Sequence, residues 1–519
     1  MIARVNVSLL RSWRSLALVA LVLGGIAGVW RLSDRTPTSL ALATLAVGGA
    51  GLVAFLSTRR PVVAFGVLFL LASLSRWTID TQLGNMRLEQ PAIAAGLLAM
   101  LYARRLPDLA TWRRLLPMAV AFMVYLGALT ASSLLHSPDR VDSLRMVFWI
   151  GLSMAGGLLA FLLLFGGDPE GGPHWLRLAA APQAAAGILI ALLFFWLGPV
   201  ILAGGQYLPG MDNKVYGMSW EANVYASLLG AVGLFAIEES RSRPRLRSVA
   251  LVALLLLGMA VGLTRGAYLG LTAGLIAYIG VILYRRQRPR SLLLPGSVAV
   301  GAIVVGLLVA PVLLDYARTP TQPIDLTTPG WGRGLAIGPY LLPGLPGHPP
   351  SGLLRMDIVP PAPPVPPGEP KPPPVAPPPT TDTIAFRLDR IPIALADWHG
   401  DPVIGLGANS FGQRHVDLTQ GPAAPDHLAI LAVAALYESG VVGSVGLIVG
   451  FALILLALWR ASRRPTTGPM AAAYLGSLVS LLVAYQATNA LNFSLIWLIA
   501  GAGLAMVFSK TADRSSAPE

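Results

Sequence analysis

Arg265 is the one full charge in the apolar run SVALVALLLLGMAVGLTRGAYLGLTAGLIAYIGVILY, residues 248–284. Three other stretches set polar groups between apolar runs: GMDNKVYGMSWEANVYAS, with Lys214, Glu221 and Asn223; FRLDR, with Arg387 and Arg390; and APDHLAILAVAALYESG, with Asp426, His427 and Glu438. A guanidinium is a planar fork that matches phosphate bidentately and keeps its charge, so two or three converging on one spot would clamp a diphosphate. A histidine beside them could accept the proton of a hydroxyl. Each group also has a plainer reading. Arg265 can snorkel from a helix end to the interface, Glu438 can cap or pair, and Asn223 can end a helix. Four of the six histidines, His348, His399, His415 and His427, fall in one long polar stretch. None has the spacing of a zinc site, so no metal and no other cofactor is expected.

These groups need elements to hold them, and the composition says what kind. Hydrophobic residues make up 55% of the chain and charged residues 12%, about half the charge of an ordinary soluble protein. Apolar runs recur from end to end without the strict alternation of barrel strands, which predicts an all-α polytopic membrane protein. Candidate spans lie near 15–30, 39–57, 61–75, 91–103, 116–135, 146–165, 180–204, 222–238, 248–264, 266–284, 291–314, 428–458, 470–487 and 490–508. Several are short, so the expected bundle has about 12–14 transmembrane helices. The first run follows basic residues as a signal peptide would, but it lacks a small-x-small cleavage site and reads as a retained helix. There is no cysteine, which excludes a disulfide frame, an iron–sulfur cluster and a thiolate nucleophile.

The net charge of +13 does not point to nucleic acid, because most arginines cluster in short segments between apolar runs. Arg4, Arg11 and Arg14; Arg59 and Arg60; Arg104, Arg105, Arg113 and Arg114; Arg241 to Arg247; Arg285 to Arg290; and Arg460 to Arg464 all fall on alternate connections. The positive-inside rule puts these connections and both termini on the cytoplasmic side of the membrane. The expected organisation is membrane helices over 1–314, an extracytoplasmic loop over 315–426, further membrane helices over 427–508 and a cytoplasmic tail over 509–519. The loop contains a polyproline tract, 358–381, expected to be an extended or disordered spacer. After it, TIAFRLDRIPIALADWHGDPVIGLGANSFG predicts a short amphipathic helix over 383–397 and then a glycine-rich turn at Gly405 and Gly407. That turn either lets backbone approach a ligand or simply ends the helix. On this orientation the run around Arg265 is two helices, with the arginine at the outer turn between them.

Three patches resemble a known family, the O-antigen ligase and polymerase superfamily. LTRGAYLG is similar to its Ser-Arg-Gly-Ala segment, with Thr264 in place of the Ser and Arg265 as the Arg. HGDPVIGLGANSFG is similar to its His-Pro-x-x-Gly-x-Gly-x-x-x-Phe segment at Pro402, Gly405, Gly407 and Phe411, and Arg387 corresponds to an Arg upstream of it. EANVYASLLG resembles a Pro-Asn-x-x-Ala patch at Asn223 and Ala226, with Ala222 for the Pro. The family's His-Asn-x-x-Leu segment followed by Glu and Gly is met in part: Leu428 follows His427 where Asn is expected, and Glu438 comes about two residues late. All these patches lie between residue 221 and residue 440; the first part of the chain matches only as a series of helices.

The resemblance implies a multi-pass bacterial inner-membrane glycosyltransferase. It would move a glycan from undecaprenyl diphosphate to an acceptor hydroxyl on a glycan, lipid or protein, with inversion and without a metal. Arg265 and Arg387 would hold the diphosphate, supported by Arg390 or Lys214. His427 would activate the acceptor, with Asp426 as its substitute, and Asn223, Gly405, Gly407 and Glu438 would line the substrate. A diphosphate is already a competent leaving group, so stabilising the charge that grows on it is the main chemical demand. Two other readings fit a polytopic helical protein: a flippase for lipid-linked glycans, which would carry mid-membrane charges and repeats, and a non-catalytic scaffold of polysaccharide assembly. The lipid bilayer is a partner in all three.

Overall fold

The computed structural model describes residues 27–29, 31, 36–75, 77–81, 84–165, 168–197, 215, 217–219, 221–285, 289–315, 388–415 and 428–509. Helices dominate. In chain order they are α1 (Pro37–Arg59), α2 (Pro61–Ser73), α3 (Glu89–Tyr102), α4 (Leu109–Leu135), α5 (Arg140–Phe165), α6 (Gly171–Leu197), α7 (Ala222–Ser242), α8 (Leu246–Val261), α9 (Arg265–Tyr284) and α10 (Leu293–Asp315), followed by α11 (Arg390–Trp398), α12 (Ser410–Arg414), α13 (Leu431–Ser462), α14 (Gly468–Ala484) and α15 (Ser494–Phe508). A short antiparallel hairpin, β1 (Thr78–Thr81) and β2 (Gly84–Arg87), with Ile79 opposite Met86, joins α2 to α3. No apolar alternation announced it.

Among the described residues, seven helices are long and apolar enough to cross a membrane: α1, α4, α5, α6, α9, α13 and α14. This is fewer than the sequence suggests, partly because of length and, for the 21-residue α7, because Glu238, Glu239 and Arg241 fall in its last turns. Helices α2, α8 and α15 have 13, 16 and 15 residues, and 13 residues at 1.5 Å each reach only about 20 Å of a core about 30 Å thick. The candidate span 15–30 and the polyproline tract 358–381 lie outside the described residues, and so does most of the loop that carries the tract. The amphipathic helix expected over 383–397 is α11, which runs to Trp398.

Local chemistry sets the helix ends. Thr36 accepts from the Ser39 amide at 3.1 Å with Pro37 in the first turn, and Asp108 accepts from the Thr111 amide at 2.9 Å, as N-caps do. Arg60 leaves the helical region just before Pro61, the conformation that a following proline favours. The apolar run 248–284 is broken at Gly262–Thr264, and α9 begins at Arg265.

The arginine-rich connections share one end of the bundle. Arg285 donates to the Arg464 carbonyl at 3.1 Å, and Arg464 donates to the Val507 carbonyl at 2.8 Å. Buried Glu238 accepts from Arg241 at 2.8 and 2.9 Å and also from Tyr278. The hairpin, the α4–α5 and α8–α9 connections, residues 388–415 and the α14–α15 connection lie at the opposite end. Helix α9 is fixed by its packing on α14: Cβ atoms at Gly270 and Gly274 would run into the Ser480 and Gly476 carbonyls, and one at Gly266 would lie 2.6 Å from the Ala487 Cβ. Small residues every fourth position let two backbones touch where lipid offers no hydrophobic drive between helices.

Replacing Gly274 by Leu is expected to cost about 1–3 kcal/mol, the usual penalty of overpacking. It should lower the thermal midpoint in detergent, while Gly280→Ala, in open space, leaves it unchanged.

Candidate active site

Away from the arginine-rich end, helix α13 is broken at Gly440, whose φ of +62° and ψ of −167° no helix contains. The break frees backbone groups, and the segment after α11 supplies their partners. The amides of Leu406 and Gly407 donate to the carbonyls of Tyr437 (2.8 Å) and Glu438 (3.0 Å), and those of Val441 and Val442 donate to Pro402 (2.9 Å) and Val403 (3.1 Å). This approach requires glycine. Gly405 and Gly407 have φ of +82° and +101°, and a Cβ on Gly405 would collide with the Gly440 amide and the Glu438 carbonyl. The open sides of both glycines are filled by protein, Gly407 facing Ser132, Ser133 and Ser137.

The end of α4 holds the same segment from the other side. Ser132 donates to the Glu438 carbonyl at 2.7 Å, Ser133 accepts from the Ala408 amide at 3.1 Å, and Ser143 on α5 donates to the Ala408 carbonyl at 2.6 Å. His136 Nδ1 lies 2.7 Å from the Gly405 carbonyl; a carbonyl only accepts, so Nδ1 carries the proton. Its Nε2 then faces Asp401 at 3.6 Å. Asn409, in the left-handed region at φ +55°, donates from its side chain to Asp142 at 3.0 Å, beside Gln413 at 3.1 Å. Glu438 is buried, and its Oε1 accepts from the Asn409 amide at 3.1 Å.

Next to this seam, His415 Nε2 is 2.5 Å from Asp397 Oδ2, which also accepts from Tyr437 Oη at 3.0 Å, and Phe411 lies against both His415 and Tyr437. An imidazole with a carboxylate behind one nitrogen is fixed in orientation, leaving its other nitrogen free to take a proton. Arg390 is buried on α11, whose apolar face meets Leu406, Phe411 and Tyr437.

The α14–α15 connection completes the neighbourhood. Gln486 accepts from the Ala432 amide at 3.2 Å, and Thr488 donates to Glu221 at 2.9 Å. The other oxygen of Glu221 accepts from Asn223 at 2.5 Å. Arg265, first residue of α9, sits beside this connection because Gly266 packs on Ala484 and Ala487. Its side chain is exposed, and among the described residues it has no hydrogen bond or ion pair. The structure therefore gathers Gly405, Gly407 and Glu438 in one seam, places Asn223 and Arg265 beside the α14–α15 connection, and buries Arg390 at the start of α11. Lys214, Arg387, Asp426 and His427 lie outside the described residues.

One polar cluster at this end escapes sequence reasoning. Arg87 lies 3.8 Å over the Phe493 ring and donates to the Asn492 carbonyl at 2.6 Å. Ser153 donates to the same carbonyl at 2.7 Å, and Ser494 donates to the buried Glu89 at 3.2 Å. Burial pushes the Arg87 guanidinium below its ordinary value, opposed by Glu89 and Tyr485. The only signal was the pair of opposite charges in RLEQP just before an apolar run. The His415–Asp397 pair had no signal beyond two polar residues in one loop. No three His, Cys, Asp or Glu among the described residues are grouped as metal ligands. No protein-family model matches this sequence, and no curated protein matches it.

Gly405→Ala and Gly440→Ala are each expected to cost at least about 1–2 kcal/mol from the left-handed backbone alone. Hydrogen exchange in detergent should show lost protection over 401–415 and 435–442, while Gly280→Ala leaves both stretches protected.

Proposed function

We propose that this chain is a glycosyltransferase of the cytoplasmic membrane, moving a glycan from a polyprenyl diphosphate carrier to an acceptor hydroxyl. The observation that carries this reading is Arg265: an exposed guanidinium, unpaired among the described residues, at the N-terminus of a helix whose backbone packs closely at Gly266 and bordered by a well-braced polar surface. A helix N-terminus adds partial positive charge and free amides to the guanidinium, a combination suited to phosphate oxygens. With the arginine-rich end in the cytoplasm, this surface faces outward, level with the headgroups. There a polyprenyl tail can stay in lipid while its diphosphate reaches Arg265.

The chemistry asks little else of the protein. The acceptor oxygen bonds to the anomeric carbon as the bond from that carbon to the diphosphate oxygen breaks, with inversion. The electron pair leaves on the diphosphate, where Arg265 and Arg387 balance the growing charge. The hydroxyl proton passes to His427, the base that the family resemblance implies. Twelve residues upstream of it in sequence, His415 is tied through Asp397 to Tyr437. Asn223, Glu438 and the Gly405–Gly407 turn act as supports, because their polar groups and open faces are engaged by protein.

The test is reconstitution of the full chain with a defined polyprenyl diphosphate oligosaccharide and candidate acceptors, read by mass spectrometry. Arg265→Ala is expected to lower turnover by about a hundredfold or more, the scale of losing one charge-stabilising donor, with unchanged thermal stability and partial recovery in Arg265→Lys. His427→Ala should abolish transfer, whereas Asp397→Asn should reduce it less and also loosen 401–415 in hydrogen exchange. Full transfer by Arg265→Ala at normal protein levels would leave a flippase or a scaffold as the better reading.

A further inference from the structure

At the arginine-rich end, α4, α13 and α15 enclose a cleft of about 380 Å³, the size of a small-ligand site. Its walls are apolar, formed by Pro117 and Met118 of α4, Leu453 and Ala457 of α13 and Phe508 of α15, and its rim carries Arg114, Arg460 and Arg464. Arg464 is engaged by the Val507 carbonyl at 2.8 Å. Among the described residues, the side chains of Arg114 and Arg460 have neither an acidic partner nor a hydrogen bond, and both residues are exposed. Two free guanidinium groups over an apolar slot leave positive charge without its counterpart.

The surroundings indicate which anion fits. Away from the arginines, along the antiparallel pair α4 and α13, the surface stays apolar and exposed through Leu116, Val120, Val449 and Leu456. A free anion would use only the rim and leave the greasy slot unfilled. A molecule with a phosphate at one end and hydrocarbon at the other matches both halves. We infer that this cleft binds an anionic phospholipid, its phosphate between Arg114 and Arg460 and its acyl chains running down the α4–α13 groove. Arginine supplies the bidentate fork for the phosphate oxygens, and basic clefts between membrane helices at the cytoplasmic face suit acidic headgroups. The inference does not rest on the proposed catalytic activity.

The probe is phosphatidylglycerol added to the full chain in detergent, with retained adducts read by native mass spectrometry and the thermal midpoint by intrinsic fluorescence. Phosphatidylcholine and inorganic phosphate serve as parallel arms. Phosphatidylglycerol is expected to be retained at least tenfold better than phosphatidylcholine and to raise the midpoint, while inorganic phosphate alone does neither. The double variant Arg114→Gln/Arg460→Gln should lose that preference, whereas Arg243→Gln/Arg247→Gln, at the same end but outside the cleft, keeps it. Ala457→Phe, which fills the slot without touching charge, should also lose it, separating occupancy of the cleft from general surface charge. Equal retention of the two lipids, an undiminished preference in Arg114→Gln/Arg460→Gln, or the same stabilisation by inorganic phosphate would each overturn the assignment.

Discussion

A backbone amide in a lipid environment must find an acceptor, and the break in α13 makes that requirement local. At Gly440 the helix cannot supply its own partners, so four amides and carbonyls on either side are paired across to residues 402–407. That pairing accounts for positive φ at Gly405, Gly407 and Gly440 together, for the serines at the end of α4 and for the buried Glu438 that accepts from Asn409. The break also resolves the length of α13. Its 32 residues would span about 48 Å as one rod. Residues 441–462 alone reach roughly 33 Å, enough to cross the hydrocarbon, and the first turns are released to build the polar surface.

Much of the architecture was legible in the sequence because lipid imposes a coarse rule: long apolar runs become helices, and arginines collect at one end. The thirteen apolar runs after residue 36 each correspond to a helix, and the split of 248–284 at Arg265 follows from counting sides. Other features depend on partners far apart in the chain. Arg87 meets Phe493 and Asn492, His415 meets Asp397 and Tyr437, and His136 meets Gly405. Spacing along the sequence contains no trace of such pairs. The glycines after α11 were legible as a turn, but which of their two readings holds depends on what fills the space beside them. Beside Gly405 that space is filled by the Glu438–Gly440 backbone, and beside Gly407 by Ser132, Ser133 and Ser137.

The two kinds of arginine in this chain differ in the same physical respect. Arg87, Arg177 and Arg241 are buried or half-buried and are engaged with carbonyls, carboxylates or a ring, so their charge is consumed inside the structure. Arg265 at one end and Arg114 and Arg460 at the other are exposed and unpaired among the described residues. Fixed charge without an internal partner suits an external anion. Under the proposed reading the two ends meet different ones: a transient diphosphate substrate outside and a resident lipid phosphate within.

The seam at Gly440 also bears on how the chain is made. Residues 401–409 emerge from the ribosome before α13, yet the carbonyls of Pro402 and Val403 are the acceptors for Val441 and Val442. Under the proposed orientation, the earlier segment has to cross the bilayer before this pairing can form. Under that orientation, these hydrogen bonds couple the placement of residues 401–409 to the completion of α13.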